Sequence, residues 1–287
     1  MTTRIQSTRP LGVVESDDVS DQLRDVEVDF DQAKSLMHLA WRQGKNHFPC
    51  TTGSQRNLRG GRIEYSESFT AMVVADLLLG QREHSMLVRD VQSMLVRELG
   101  GGDVFFFFKE HGRLPADADC TALGLSVLLR GGVRVRDAAN RALDRILANV
   151  SEDGVVETYF DPTGERDGIV DAVVCANVLF LAHQLGRADE LAPTLEHVRR
   201  VLTEGLYADG TRYYHSPDAF LYFVGRVVHH FPQTRDVLLS PLCKAVRERI
   251  GVSSDTIDVA QRVLLCTWLD IDDGNEQLAQ LVEMQEA

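Results

Sequence analysis

Asp117 and Asp119 stand one residue apart behind Pro115, and Cys120, Thr121 and Ala122 follow at once. Two carboxyl groups that share a site lose their protons as a pair, so one of them can stay protonated at neutral pH. A protonated carboxyl held in a dry cavity can deliver its proton even to a poor base such as an alkene. The apolar run over residues 121–129 reads as a helix. The spacing predicts Asp119 as its N-cap, with the side chain free to face a cavity. A helix N-terminus favours the ionised carboxylate. Burial and a neighbouring negative charge push the other way. Asp117 would supply that charge, and the Cys120 thiol a weak hydrogen bond. The plain alternative is that Asp119 only caps its helix, which stabilises by about 0.5–2 kcal/mol with no chemistry.

A carbocation formed by such an acid needs π faces and shelter from water. Phe105, Phe106, Phe107 and Phe108 lie immediately before the acid segment, and Trp41 lies on the first apolar helix. Tyr213, Tyr214, Phe220, Tyr222 and Phe223 form a second cluster. Aromatic rings also dominate ordinary cores, so core packing and a simple hydrophobic-ligand pocket remain open for each ring.

The elements that must carry these residues recur along the chain. A capping residue followed by about twelve mostly apolar residues appears at Asp31, Ser68, Asp119, Asp171, Asp218 and Asp258. Most are followed by a charged, one-sided helix, at residues 83–99, 135–150, 189–202 and 234–250. Alternation at this period is a repeat signature. It predicts an all-α protein, an α/α toroid of about six inner and outer helix pairs, with an open solenoid as the alternative. The caps would ring the mouth of the toroid. Residues 44–64, Gly-rich and basic, depart from the pattern. Residues 1–25 read as a polar tail, and residues 26–287 as one α/α barrel domain.

Composition excludes several classes. A net charge of −13 argues against nucleic acid as a partner. Five scattered cysteines form no disulfide framework or zinc knuckle, which points to a reducing cytoplasm. The N-terminus lacks the apolar core of a signal peptide, and no stretch is long enough to span a membrane. Peripheral contact with a bilayer stays compatible with a greasy substrate. The histidines form no metal motif, and no phosphate-binding Gly-rich loop or nucleophile elbow is present. The acidic run at Asp270, Asp272 and Asp273 follows a helix and reads as a solvated turn, not as a magnesium-binding aspartate motif.

The segment Asp117-Ala118-Asp119-Cys120-Thr121-Ala122 resembles the acid motif of the class II, protonation-initiated terpene and triterpene cyclases. Squalene–hopene-type members carry Asp-x-Asp-Asp-Thr-Ala and oxidosqualene-type members Asp-Cys-Thr-Ala, so this segment is a hybrid of the two. The resemblance implies a single terpene cyclase β-domain-like barrel. It implies Asp119 as proton donor, tuned by Asp117 and Cys120, and a linear isoprenoid or prenylated substrate cyclised through carbocations. No cofactor is required by that chemistry, although a diphosphate substrate would recruit magnesium. Typical members use two helical domains, so either the cavity lies inside one barrel closed by the N-terminal segment, or a second subunit or a homodimer closes it, or the cyclase activity is lost. Two other readings stand beside it. One is a non-catalytic toroid that binds a hydrophobic ligand or a partner protein. The other is a zinc-dependent prenyltransferase-like protein, with Asp117 or Asp119 and Cys120 as ligands.

Overall fold

Helices that are apolar on all sides must be covered on all sides, and helices with one apolar stripe do the covering. A computed structural model describes residues 30–44, 48, 50–52, 63–108, 114–252 and 254–286. The expected tail at residues 1–25 lies outside them. After α1 (Phe30–Gln43) come two short strands, β1 (Cys50–Thr52) and β2 (Ile63–Tyr65). The inner helices are α2 (Phe69–Leu78), α4 (Ala118–Arg130), α6 (Ala172–Leu185), α8 (Pro217–His230) and α10 (Thr256–Leu269). The outer helices are α3 (Ser85–Leu99), α5 (Arg136–Leu147), α7 (Ala192–Thr203) and α9 (Arg235–Arg247), and α11 (Glu276–Glu286) closes the described chain.

The inner helices pack in sequence order, α2 on α4, α4 on α6, α6 on α8 and α8 on α10. Residues 172–182 of α6 are all buried, as its unbroken apolar run requires. By contrast α5 buries only Ala139, Ala142, Leu143 and Ile146, a stripe at helical spacing with arginines and aspartates outside it. This is the α/α toroid arrangement that the repeat predicts. The departure falls where the pattern broke. β1 and β2 pair antiparallel, Thr51 opposite Glu64, and β-branched Thr51, Thr52 and Ile63 favour that extended form.

The helix starts differ from expectation at several places. Asp117, not Asp119, caps α4: its Oδ1 accepts the Cys120 backbone N–H at 2.6 Å. The aspartates sit two apart, so either could cap by type, and the extended backbone of Asp117 decides between them. Asp119 therefore lies inside the first turn and is not a cap. Asp171 caps α6 as expected. Ser216 caps α8 in place of Asp218, and Asp255 caps α10 in place of Asp258. Asp218 is instead held by Arg249 at 2.7 and 3.1 Å. Ser68 stands at the N-cap of α2, but its hydroxyl donates to Glu98. The side chain of Asp31 lies outside the described residues.

The lead-in to α4 is stitched down on both sides. The Asp117 N–H donates to the Phe105 carbonyl at 3.2 Å, and the Ala118 N–H donates to the Thr158 carbonyl at 2.8 Å. The Phe160 N–H returns to the Ala116 carbonyl at 2.9 Å. The Phe105 N–H donates to the Thr121 hydroxyl at 2.9 Å. Phe105 then packs close against α4 because Gly124 has no side chain. A β-carbon there would stand 3.0 Å from Met72 and 3.1 Å from Phe105. Gly124→Val should overpack this contact and cost about 1–3 kcal/mol, read by denaturant unfolding. An unchanged midpoint would show that Phe105 is not clamped on α4.

Candidate active site

The start of α4 opens into a cavity of about 380 Å³, within the range of small-molecule sites. Asp117, Asp119 and Cys120 all line it. Phe69, Phe107, Tyr159, Tyr213 and Tyr214 supply its rings. A helix start puts carboxylates where backbone N–H groups converge, and the stitched strand segments fix how they enter.

The two carboxyl groups are held differently. Asp117 uses Oδ1 as the cap, and its Oδ2 is buried with no hydrogen-bond partner among the described residues. Burial, with the charge of Asp119 added, pushes Asp117 up from 3.8 to about 7. Asp119 accepts two hydrogen bonds, from Asn177 Nδ2 at 2.7 Å and from the Tyr214 hydroxyl at 2.5 Å. Burial also pushes Asp119 up, those two bonds pull it back, and it settles at about 6. The stronger acid of the pair is thus the one whose conjugate base is better solvated by the protein. The Cys120 thiol is pushed well above its usual range by burial and by both aspartates, so it stays neutral. Its backbone N–H is what Asp117 caps.

Behind Asp119 runs a buried polar chain. Arg226 Nη1 donates to Asn177 Oδ1 at 2.9 Å, which leaves the Asn177 amide nitrogen facing Asp119. Arg226 also donates to Asp76 through Nε at 2.7 Å and Nη2 at 3.3 Å. Arg130 completes the pair from the other side. Burial opposes the charge on Asp76, but Arg226 and Arg130 outweigh it and hold its carboxyl below the usual range. The Arg226 guanidinium lies 3.6 Å from the centre of the Phe180 ring.

The aromatic expectations divide. Phe107, Tyr213 and Tyr214 line the cavity. Phe223 stands behind Tyr214, ring centres 5.7 Å apart. Phe106 lines a neighbouring pocket and Phe108 packs edge-on to Phe107. Phe105 backs α4 from the core side. Trp41 packs on Phe48, Phe220 stacks on Tyr207 and Tyr222 lies against Trp268, and none of the three lines the cavity. No third ligand joins Asp117, Asp119 and Cys120 among the described residues, which contain no cluster able to hold a metal. The zinc-site reading therefore lacks a donor set there.

Asn177, Arg226 and Asp76 were not anticipated from the sequence. Their signal was nonetheless present, since each is a polar residue in the middle of an otherwise apolar inner helix. Tyr159 and Thr158 sit in an irregular connection, and no pattern marked them.

Residues 60–185 match the family described as the sesquiterpene cyclase astC-like C-terminal domain. Over 174 residues the chain is 37% identical to drimenol cyclase drtB of Aspergillus calidoustus. That match covers 60% of this chain and 31% of the relative, so the chain spans about a third of the relative's length. Among solved structures, the type II terpene cyclase MstE from Scytonema superposes with a TM-score of 0.58 at 12% identity, over 81% of this chain and 72% of that one. A variant of MstE in complex with its substrate geranylgeranyl dihydroxybenzoate gives a TM-score of 0.60, also at 12% identity, over 83% and 72%. A protein from Actinoplanes gives 0.58 at 17% identity, over 78% and 72%. The fold is that of the type II terpene cyclases. Among the described residues, no helix is long and apolar enough to cross a membrane.

Two outcomes follow from the site's electrostatics. Arg226→Met leaves Asp76 buried with only Arg130 and should destabilise by about 3–5 kcal/mol, measured by urea unfolding. A loss below 1 kcal/mol would mean that the ion pair is not buried as described. The pH effect concerns Asp117. Its raised value means that the folded state holds the proton more tightly than the unfolded chain does. Stability should therefore fall as pH rises from about 4 to about 7. Asp117→Asn keeps the cap and removes this titration, so melting curves of the variant should slope less over that range. Parallel curves would contradict the raised value.

Proposed function

We propose that this chain carries the acid-bearing barrel of a class II terpene cyclase, with Asp119 as general acid. The observation that carries this reading is the asymmetric buried pair, in which one carboxyl has a ready conjugate base and its neighbour keeps a proton on the site. The Asp119 carboxyl gives its proton to the terminal double bond of a linear isoprenoid. The electron pair of that bond forms the new C–H bond and leaves a tertiary cation. Inner double bonds then attack in turn, each closing a ring and moving the positive charge along the chain. Loss of a proton, or capture of water, ends the sequence. Asn177 and the Tyr214 hydroxyl hold the carboxylate left on Asp119. Asp117 and Cys120 are its tuning partners.

The rings of Phe69, Phe107 and Tyr214 line the cavity, where they offer π electrons to a cation and exclude water. The similarity to a sesquiterpene cyclase domain and to a drimenol cyclase supports a fifteen-carbon chain, and the modest cavity favours a short isoprenoid over a triterpene. The chemistry at Asp119 needs no metal, and a diphosphate head group would bring its own magnesium.

Product analysis by mass spectrometry tests the reading, with wild type and Asp119→Asn incubated with linear isoprenoids, their diphosphates, terminal epoxides and prenylated aromatics. Wild type should form a cyclised isomer or its hydrate, and Asp119→Asn should be slower by at least about 10²–10⁴-fold while remaining folded. The wild-type rate should fall as pH rises above about 6, where Asp119 loses its proton. Equal turnover by the two proteins would remove Asp119 from the acid role.

A further inference from the structure

Asp171 caps α6 with one oxygen: its Oδ1 accepts the Val173 backbone N–H at 2.8 Å. A cap requires no more than that, and asparagine or serine would serve as well. The other oxygen reaches elsewhere. Asp171 Oδ2 accepts the backbone N–H of Tyr213, 42 residues further along the chain, at 3.0 Å. Asp171 is only 2% exposed, so water competes little for that bond. Tyr213 and Tyr214 both line the cavity, and the Tyr214 hydroxyl donates to Asp119 Oδ2. The anchor thus lies one peptide away from a residue that holds the acid.

The loop before α8 is tightly closed on itself. The Thr211 N–H donates to the Tyr214 carbonyl at 2.6 Å, and the Tyr214 N–H donates to the Thr211 hydroxyl at 3.3 Å. Gly210 has φ +84°, and a β-carbon on it would stand 2.6 Å from the Tyr214 carbonyl oxygen. In so tight a turn Tyr213 and Tyr214 move together, and one anchor fixes both. The Tyr214 ring packs near Phe69 and Phe223, with centres 6.2 and 5.7 Å away. Such apolar contacts are non-directional, so the backbone must set where the hydroxyl lies. Asn177, the other donor to Asp119, stands on the same helix that Asp171 caps. Helix α6 therefore governs both donors, Asn177 directly and Tyr214 through Asp171.

We propose that Asp171 is a positioning residue of the acid site, whose second carboxylate oxygen holds the 211–216 loop so that the Tyr214 hydroxyl meets Asp119. The role rests on the cyclase reading for the reaction served, and on the hydrogen-bond chain alone for what Asp171 holds. A carboxylate is required, because an amide offers one acceptor oxygen to two N–H groups. Asp171 also acts on Asp119 directly, and the two effects have opposite signs. Its charge favours the proton on Asp119, whereas the Tyr214 hydroxyl favours the carboxylate and is the larger influence. Asn177 and Arg226 also favour the carboxylate, and Asp117, Cys120 and Glu67 share the cavity.

The test follows the Asp119 carboxyl carbon by NMR titration in the full chain, with Asp119→Asn for assignment. Asp171→Asn keeps the cap and loses the anchor, so the Asp119 value should move up from about 6, as it should in Tyr214→Phe. When Tyr214→Phe is already present, Asp171→Asn can act only through charge and should move Asp119 down. A residue that only caps its helix would show no such reversal. Gly210→Ala leaves the Asp171 charge in place and crowds the turn, so it should also move Asp119 up. In turnover at about pH 5, where Asp119 holds its proton, Asp171→Asn should lower kcat by about 10–100-fold, the worth of a hydrogen bond to a charged group. It should add less than about 2-fold to the loss caused by Tyr214→Phe. A downward or absent shift in Asp171→Asn, or in Gly210→Ala where the first variant does not fold, would overturn the positioning role even if wild type cyclised a substrate. The reversal of sign, with no cyclised product from any substrate, would sustain the role and overturn the cyclase reading instead.

Discussion

Burying two carboxyl groups at one helix start is the constraint around which the rest of the site is arranged. In water neither group would keep its proton at neutral pH. In the cavity, desolvation penalises both anions and the charge of Asp119 makes that of Asp117 costlier still, so a proton remains on the pair. The helix start works against this, because it favours negative charge. The conflict is resolved by division of labour: Asp117 takes the cap, and Asp119 projects from the first turn toward groups on other helices.

Those other groups explain why five inner helices must be held in register. Asn177 comes from α6, Tyr214 from the loop before α8, Arg226 from α8 and Asp76 from α2. A wholly buried arginine is expensive unless its donors are matched. Arg226 meets that demand with Asp76, Asn177 and the face of Phe180, and in doing so sets the direction of the Asn177 amide. The ion pair deep in the ring thus orients a hydrogen bond at the mouth.

Much of this was legible in the sequence. The toroid followed from apolar helices alternating with striped ones, because burial on all sides and on one side leave different periodicities. That Asp117 and Asp119 share one cavity at a helix start followed from their spacing before the apolar run. The capping role went to the wrong aspartate because two candidates two residues apart satisfy the same rule, and only the strand-like bonds to Phe105 and Thr158 settle which residue stays extended. Ser216 and Asp255 displaced Asp218 and Asp258 for a related reason, as Asp218 is drawn into a pair with Arg249. Trp41, Phe220 and Tyr222 showed the limit of aromatic clustering: rings near a helix start can turn into the core as readily as into a cavity. The hairpin in the first repeat was marked only as a break in pattern. Asn177, Arg226 and Asp76 carried a signal that periodicity arguments pass over, a lone polar residue on a face that must be buried.

The most direct measurement is a carbon-13 NMR titration of the aspartate carboxyl carbons in the free protein, with Asp117→Asn and Asp119→Asn for assignment. The account predicts that two carboxyl groups titrate well above the ordinary aspartate range, at about 7 and about 6, and that Asp119→Asn lowers the value of Asp117. Titration of both near 4, like exposed aspartates, would contradict it, because no proton would then remain on the site to start the reaction.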